Sequence, residues 1–224
     1  MDAGIKIPNF FKDIAKVLPE WRPEVIFDVG ANVGQSARAY ANAFPSASIH
    51  SFEPVPASFA LLQQEANKYS GITPHLMALG KANGSVQMVA SGTKTSNRIV
   101  DESTSNTDII TVPVKTGSEY MNDLEIKRVS FLKIDTEGYD YDVLLGFITS
   151  FDDIDFIQVE AGMNPYNKTH VPFRYIEDFL RHNGFHLFKF YDQAFEFKKG
   201  GRPILRRSNP VFINRRLVDL SKIQ

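Results

Sequence analysis

The sequence predicts an α/β fold: a mostly parallel sheet with helices on both faces. Two observations carry this reading. Short runs at 25–29, 129–134 and 155–159 are predominantly apolar, rich in β-branched and aromatic residues, as strands buried on both faces are. Segments with apolar residues at helical spacing separate the strands, and that alternation makes a parallel sheet. A third observation concerns chemistry. Asp28, Gly30, Glu53, Asp135, Glu137 and Glu160 all stand at or just past the carboxyl ends of strand-like runs. Ligands of open α/β sheets bind outside those ends.

The elements follow in order. Residues 8–20 carry apolar side chains at 10, 11, 14, 17 and 18, between Pro8 and Pro19, and predict an amphipathic helix. It forms an N-terminal extension over 1–22, with the main domain over 23–224; it either packs on the sheet or closes over a substrate. A strand at 25–29 leads through Gly30 and Gly34 into a helix at 35–43. A strand at 48–52 ends at Glu53-Pro54, and a helix at 57–69 directs Phe59, Leu62, Ala66 and Tyr69 to one face. Residues 75–80 read as the next strand and turn, with extra strands at 85–90 and 109–114. The hydroxyl-rich stretch 91–98 is either a solvated connection or a loop facing substrate. A short helix at 117–122 precedes the strand 129–134. The following helix carries Val143, Leu144, Phe147 and Ile148 on its apolar side. The strand 155–159 ends at Glu160, and a helix at 172–183 turns Phe173, Ile176, Phe179 and Leu180 inward and stops at Gly184. The chain closes with strand-like runs at 185–190, 195–197 and 210–214, separated by a turn at 192–193 and a Gly200-Gly201 break.

The organising stretch is Asp28-Val29-Gly30-Ala31-Asn32-Val33-Gly34-Gln35. Glycines there permit backbone angles other residues avoid and let a ligand approach the main chain. The helix that follows offers unpaired N–H groups. Dinucleotide sites use Gly-x-Gly-x-x-Gly to seat a pyrophosphate. Here an acid precedes the first glycine by two residues, which would repel a pyrophosphate and suits a ligand with a cationic centre, such as S-adenosylmethionine. Glu53 lies 19 residues past Gly34, where a carboxylate accepts hydrogen bonds from a ribose diol; the alternative is a cap on the next helix. Ala78 and Leu79 either wall a base or pack the core.

Composition narrows the classes. The chain has 224 residues, 43% hydrophobic, with 18 Phe: enough for one domain with a sizeable core. A net charge of −1 gives no basic field for nucleic acid. Cysteine is absent, which excludes disulfides, thiolate metal sites and cysteine nucleophiles. With no secretory pattern at the N-terminus and no apolar run long enough for a membrane span, the expected location is cytoplasmic. Oligomeric state is not legible.

These segments resemble the FkbM family of class I S-adenosylmethionine-dependent methyltransferases. The matching stretches are Phe27 to Gln35, Phe52-Glu53-Pro54, Ala78-Leu79-Gly80, Leu132 to Gly138 and Phe156 to Glu160, within 25–190. Asp140 stands where the family usually has Glu. The resemblance implies a Rossmann-like seven-stranded sheet of order 3-2-1-4-5-7-6 with strand 7 antiparallel. It implies S-adenosylmethionine along Gly30, Ala31, Asn32, Gly34 and Gln35, with Asp28, Glu53, Pro54, Ala78, Leu79 and Asp135 completing the cofactor site and S-adenosylhomocysteine as product. It further implies O-methylation of a hydroxyl on a sugar, glycolipid or other small natural product; the near-neutral charge argues against a nucleic-acid partner.

An alcohol is a poor nucleophile, so a base is expected. Asp135, Glu137 and Glu160 are the candidates, with His170 as a further alternative; Asp135 is the first choice by position and Glu160 the second, while an ion-pair or capping role is favoured for Glu137 and a surface position for His170. No metal ligands are assigned. Asp135, Glu160 and Asn164 offer oxygens of the type magnesium prefers, but such sets are common without metal. Asn164-Pro165-Tyr166 reads as a turn. Two other classes stay open: a non-catalytic module that binds the same cofactor, and an NAD-dependent oxidoreductase, against which Asn32 counts.

Overall fold

The structure is a computed structural model that describes residues 7–89, 98–99, 109–196, 203–219 and 221. The elements are α1 (Asn9–Val17), β1 (Val25–Val29), α2 (Gln35–Ala43), β2 (Ser48–Phe52), α3 (Pro56–Ala66), β3 (Ile72–His75), β4 (Ala78–Leu79), β5 (Gly84–Val89), β6 (Arg98–Ile99), β7 (Ile109–Lys115), α4 (Gly117–Asp123), β8 (Val129–Ile134), α5 (Asp140–Leu145), β9 (Ile154–Val159), β10 (Ala161–Gly162), α6 (Phe173–His182), β11 (Phe185–Glu196) and β12 (Ile204–Asn214). The main sheet runs β3-β2-β1-β8-β9-β12-β11. The first five strands are parallel, and β12 runs antiparallel to both neighbours. This is the expected 3-2-1-4-5-7-6 order. Two-residue β10 adds to it by pairing with β12 at Arg207 and Ser208.

Side chains alternate across the parallel strands, so each strand feeds two cores. Phe27, Val29, Phe52, Leu132, Ile134 and Ile157 pack beneath α5 and α6 with Val143, Leu144, Ile176 and Leu180. Ile26, Ile49, Phe131 and Phe156 pack on the opposite face with Ala37 and Tyr40 of α2. Helix α1 belongs to this second layer. Phe10 stacks on Phe131 at 4.9 Å and 6°, and Phe11 meets Phe44 edge-on at 4.8 Å. Asp13 ties the helix to β11 through Lys189 and Tyr191. Its apolar face is therefore a packing element on the sheet.

Several expectations need correction. The run 75–80 is not one strand. β3 ends at His75, and Ala78–Leu79 crosses to a separate small sheet of order β4-β7-β5-β6. Ile148 is exposed, because α5 ends at Leu145 and the chain continues as a 3₁₀ turn over Ile148–Asp153. Residues 192–193 form no hairpin turn: β11 is continuous, and register shifts flank Tyr191 and Ala194. Asp192 takes φ +48°, the backbone signature of a bulge rather than a reversal. The stretch 91–97 and the Gly200-Gly201 break lie outside the described residues.

Histidines on β2 and β3 make a polar inclusion in this packing. Tyr120 Oη lies 2.9 Å from His50 Nδ1 and 2.8 Å from His75 Nε2. Burial, and secondarily the neighbouring His50, lowers His75 to about 4 from a usual 6.5. The folded state thus stays neutral while the unfolded chain takes up a proton as pH falls through 6.5. Stability should decline between pH 6.5 and about 4 for this reason. Thermal unfolding between pH 7.5 and 5 should show a falling midpoint that flattens in His75→Gln. An unchanged slope in that variant would assign the decline to other groups.

Candidate active site

The three strand ends that matter are neighbours in the sheet. β1, β2 and β8 terminate side by side, and a cavity of about 320 Å³ opens there, a size suited to a small cofactor. Gly30, Ala31, Asn32, Gln35, Glu53, Pro54, Ala78, Leu79 and Asp135 line it, as do Lys133, Thr136, Glu137 and Tyr139. Asp28 and Gly34 are not among the lining residues. Gly34 (φ +88°) caps α2, packed against Leu62.

Backbone bonds assemble the wall. Gly30 N–H and Ala31 N–H both donate to Phe52 O at 3.0 Å. Asn32 N–H donates to Glu53 Oε2 at 2.9 Å, and Val55 N–H donates to Glu53 Oε1 at 2.9 Å. Glu53 thus fastens the glycine turn to the start of α3 while still facing the cavity. The two readings of Glu53, cap and ligand acceptor, are compatible, because each carboxylate oxygen accepts more than one bond. The N–H groups of Gly30, Ala31 and Asn32 are spent within the protein. Gly30 has φ +78°, and a Cβ there would lie 1.9 Å from Asp135 O. The glycine is demanded by the end of β8 passing over it.

Asp28 and Lys133 are opposite each other in the parallel register of β1 and β8. Lys133 Nζ donates to Asp28 Oδ1 at 3.1 Å and sits 3.3 Å from Asp135 Oδ2. Asp28 is fully buried. Burial alone would push the Lys133 ammonium down, but the charges of Asp28 and Asp135 outweigh it and hold it well above the usual lysine range. Asp28 therefore neutralises a lysine that the sequence reading overlooked. One negative charge of the trio remains, at the Asp135 end that lines the cavity.

Past β8 the chain makes a pinned turn. Thr136 N–H donates to Asp140 Oδ1 at 2.9 Å and Gly138 N–H to Asp140 Oδ2 at 3.0 Å. Glu137 sits between them with φ +54°, and Gly138 (φ +107°) leaves no room for a Cβ beside Thr169 O, 2.3 Å away. Non-glycine residues in that region are strained and concentrate at functional sites.

Behind Glu137 lies a buried ion-pair cluster. Glu160 Oε2 is 2.7 Å from His170 Nε2, and Arg207 Nη1 donates to Glu160 Oε1. His170 Nδ1 is 3.0 Å from Asn167 Oδ1. The reading of His170 as a surface residue is overturned: it is 6% exposed, with its ring between Glu160 Oε2 at 2.7 Å and Asn167 Oδ1 at 3.0 Å. Isolated in a polar segment, it gave no apolar period that could have signalled burial. Glu160 does not line the cavity. Glu137, Glu160 and His170 bring metal-ligating atoms within 4.8 Å of one another. However, His170 Nε2 already lies 2.7 Å from one Glu160 oxygen and Arg207 holds the other. The cluster is closed by its own charges and is not read as a metal centre. Asn164 is also committed: its amide donates to Leu205 O, and its carbonyl accepts from Tyr166 N–H at 2.9 Å, closing a turn.

Two buried atoms on the cavity residues have no hydrogen-bond partner among the described residues: Asn32 Oδ1 and Thr136 Oγ1. Buried polar atoms are normally satisfied, so this pair suits a ligand that brings donors. Burial also raises the Glu53 carboxyl above its ordinary range, against the two N–H bonds that lower it.

Comparison with known proteins agrees with this architecture. The chain is 31% identical to Methyltransferase 1 of Beauveria bassiana over 157 residues, 60% of this chain and 63% of that protein. It is 26% identical to the hexuronic acid methyltransferase AglP of Haloferax volcanii over 168 residues, 70% of this chain and 66% of that protein. The chain thus spans just under two thirds of each relative's length. Among solved structures, TrmK of M. capricolum in complex with S-adenosylhomocysteine superposes with a TM-score of 0.51 at 11% identity, covering 93% of this chain and 69% of that one. That likeness is one of fold. The Methyltransferase FkbM domain matches residues 28–187, and with this match over most of its length the chain belongs to the FkbM methyltransferase family.

Proposed function

We propose that this protein is an S-adenosylmethionine-dependent methyltransferase that methylates a hydroxyl on a sugar, glycolipid or other small natural product. The observation that carries the reading is the cavity at the ends of β1, β2 and β8, with one carboxylate at the tip of β2 and net negative charge at the tip of β8. Its residues fit the cofactor. Glu53 offers acceptor oxygens for a ribose diol, Ala78 and Leu79 an apolar wall for a base, and Asn32 Oδ1 and Thr136 Oγ1 unmatched acceptors for an ammonium. Asp135 supplies the negative charge that a sulfonium prefers. When bound, this cofactor supplies a methyl group already activated by its sulfonium, so the chain mainly binds, orients and excludes water. A glycan acceptor is supported by the similarity to AglP, a hexuronic acid methyltransferase.

Calorimetric titration with S-adenosylhomocysteine, with NAD in parallel, tests the cofactor. Micromolar binding of the first and none of the second is expected. Glu53→Gln should weaken that binding by roughly 1–1.5 kcal/mol, about five- to tenfold, because a hydrogen bond to a charged partner is replaced by a neutral one. Binding of NAD alone would reject the reading, and cofactor binding without turnover on a panel of sugars and uronic acids would favour a non-catalytic module.

A further inference from the structure

We propose that Glu137 is the general base that accepts the proton of the acceptor hydroxyl; this rests on the methyltransferase reading above. Three carboxylates past the strand ends compete for that role, and their surroundings separate them. Asp135 is held 3.3 Å from the Lys133 ammonium. Glu160 is buried, off the cavity, with one oxygen on His170 and the other on Arg207. An oxygen already held by a cation is less free to meet the acceptor hydroxyl. Glu137 lines the cavity, is partly exposed, and makes one ion-pair contact among the described residues, 3.6 Å from His170 Nε2. That distance is too long for a hydrogen bond.

The backbone points the same way. Glu137 occupies the left-handed region, and the turn that holds it there is pinned by both oxygens of buried Asp140 and by the carbonyl of Thr169 against Gly138. Strain that the surroundings over-determine is a mark of preorganisation. The charged groups facing Glu137 are Asp135, His170, Arg207 and Asp140. Burial first, then the charge of Asp135, raises its carboxyl above the ordinary glutamate range, while His170 and Arg207 pull it down. A raised carboxyl is a stronger base near neutral pH.

The step balances within the acceptor and this residue. The acceptor O–H bond breaks, its proton passes to a Glu137 oxygen, and the freed electron pair forms the O–CH₃ bond as the C–S bond breaks onto sulfur. The Glu160–His170–Arg207 cluster takes no proton in this step and serves as a fixed wall behind the base.

Two measurements test it. The first needs no turnover: carbon-13 carboxyl resonances of the protein with S-adenosylhomocysteine bound, assigned with Glu137→Gln, followed from pH 3 to 8. Glu137 is expected to titrate above the free glutamate value of about 4.3. Titration at or below that value overturns the assignment. The second compares S-adenosylhomocysteine formation on D-glucuronic acid, with cofactor affinity read separately by calorimetry. Glu137→Gln should lower turnover by about 10²- to 10⁴-fold. Its dissociation constant for S-adenosylhomocysteine should stay within about threefold, and its melting point near wild type. Equal turnover in wild type and variant overturns the base alone. Failure of wild type to bind S-adenosylhomocysteine overturns the function on which it rests.

Discussion

Lys133→Met should destabilise the protein by about 3–5 kcal/mol, the usual effect of stripping one partner from a buried ion pair. The lysine is the direct partner of Asp28, which is fully buried, and the replacement leaves that carboxylate without a counter-charge. Methionine matches the lysine stem in length, so little packing is lost. Asp28→Asn alone should be milder, because Lys133 keeps Asp135 at 3.3 Å. The double variant Asp28→Asn with Lys133→Met should recover much of the loss, since a neutral pair needs no compensation. Urea unfolding of the four proteins at pH 7 gives the coupling. Additive effects, or a loss under about 1 kcal/mol in Lys133→Met, would mean that Asp28 reaches water and the pair is not a closed unit. The cycle also bears on the cofactor site: with Lys133 gone, Asp135 loses its cation and the charge facing the cavity changes.

Gly30→Ala is expected to be at least as severe, for a steric reason. An alanine Cβ would lie 1.9 Å from the Asp135 carbonyl oxygen and 2.8 Å from its carbon, both main chain and unable to swing aside. The φ of +78° adds strain of about 1–3 kcal/mol for a residue with a side chain. Relief requires β1 and β8 to part at their ends. Doing so breaks the bond from Asp135 N–H to Val29 O, which joins the two strand ends. Loss of folding, or of all S-adenosylhomocysteine binding in a surviving fold, is the expected result. Gly84→Ala is the control: it also has a positive φ, +147°, but nothing lies within 4 Å of its Cβ. It should lose only the backbone strain. Similar melting points for the two variants would reject the steric account.

Both predictions rest on contacts between strands distant in sequence, and that marks the division between what the chain announces and what folding decides. The sequence alone determined the layer architecture, because strands buried on both faces are apolar runs and the helices between them keep a 3.6-residue period. It determined the strand order through the family motifs, and it located the ligand end of the sheet because the acids and glycines cluster after strands. β8 is found at residues 129–134 just as the apolar run reads, and α2 at 35–43.

Only the tertiary structure decided what each of those residues touches. Asp28 reads as a ligand acid, yet the β1–β8 register sets it against Lys133, a residue whose period in the strand gave no sign of a role. His170 reads as surface, yet the 164–170 turn buries it on Glu160. Glu137 reads as an ion-pair residue; it has that contact with His170, and the turn pinned by Asp140 also sets it on the cavity wall. Local sequence encodes propensity and periodicity, which act over a few residues. Charge pairing and close backbone approach depend on register between strands about a hundred residues apart, and no local pattern carries that information.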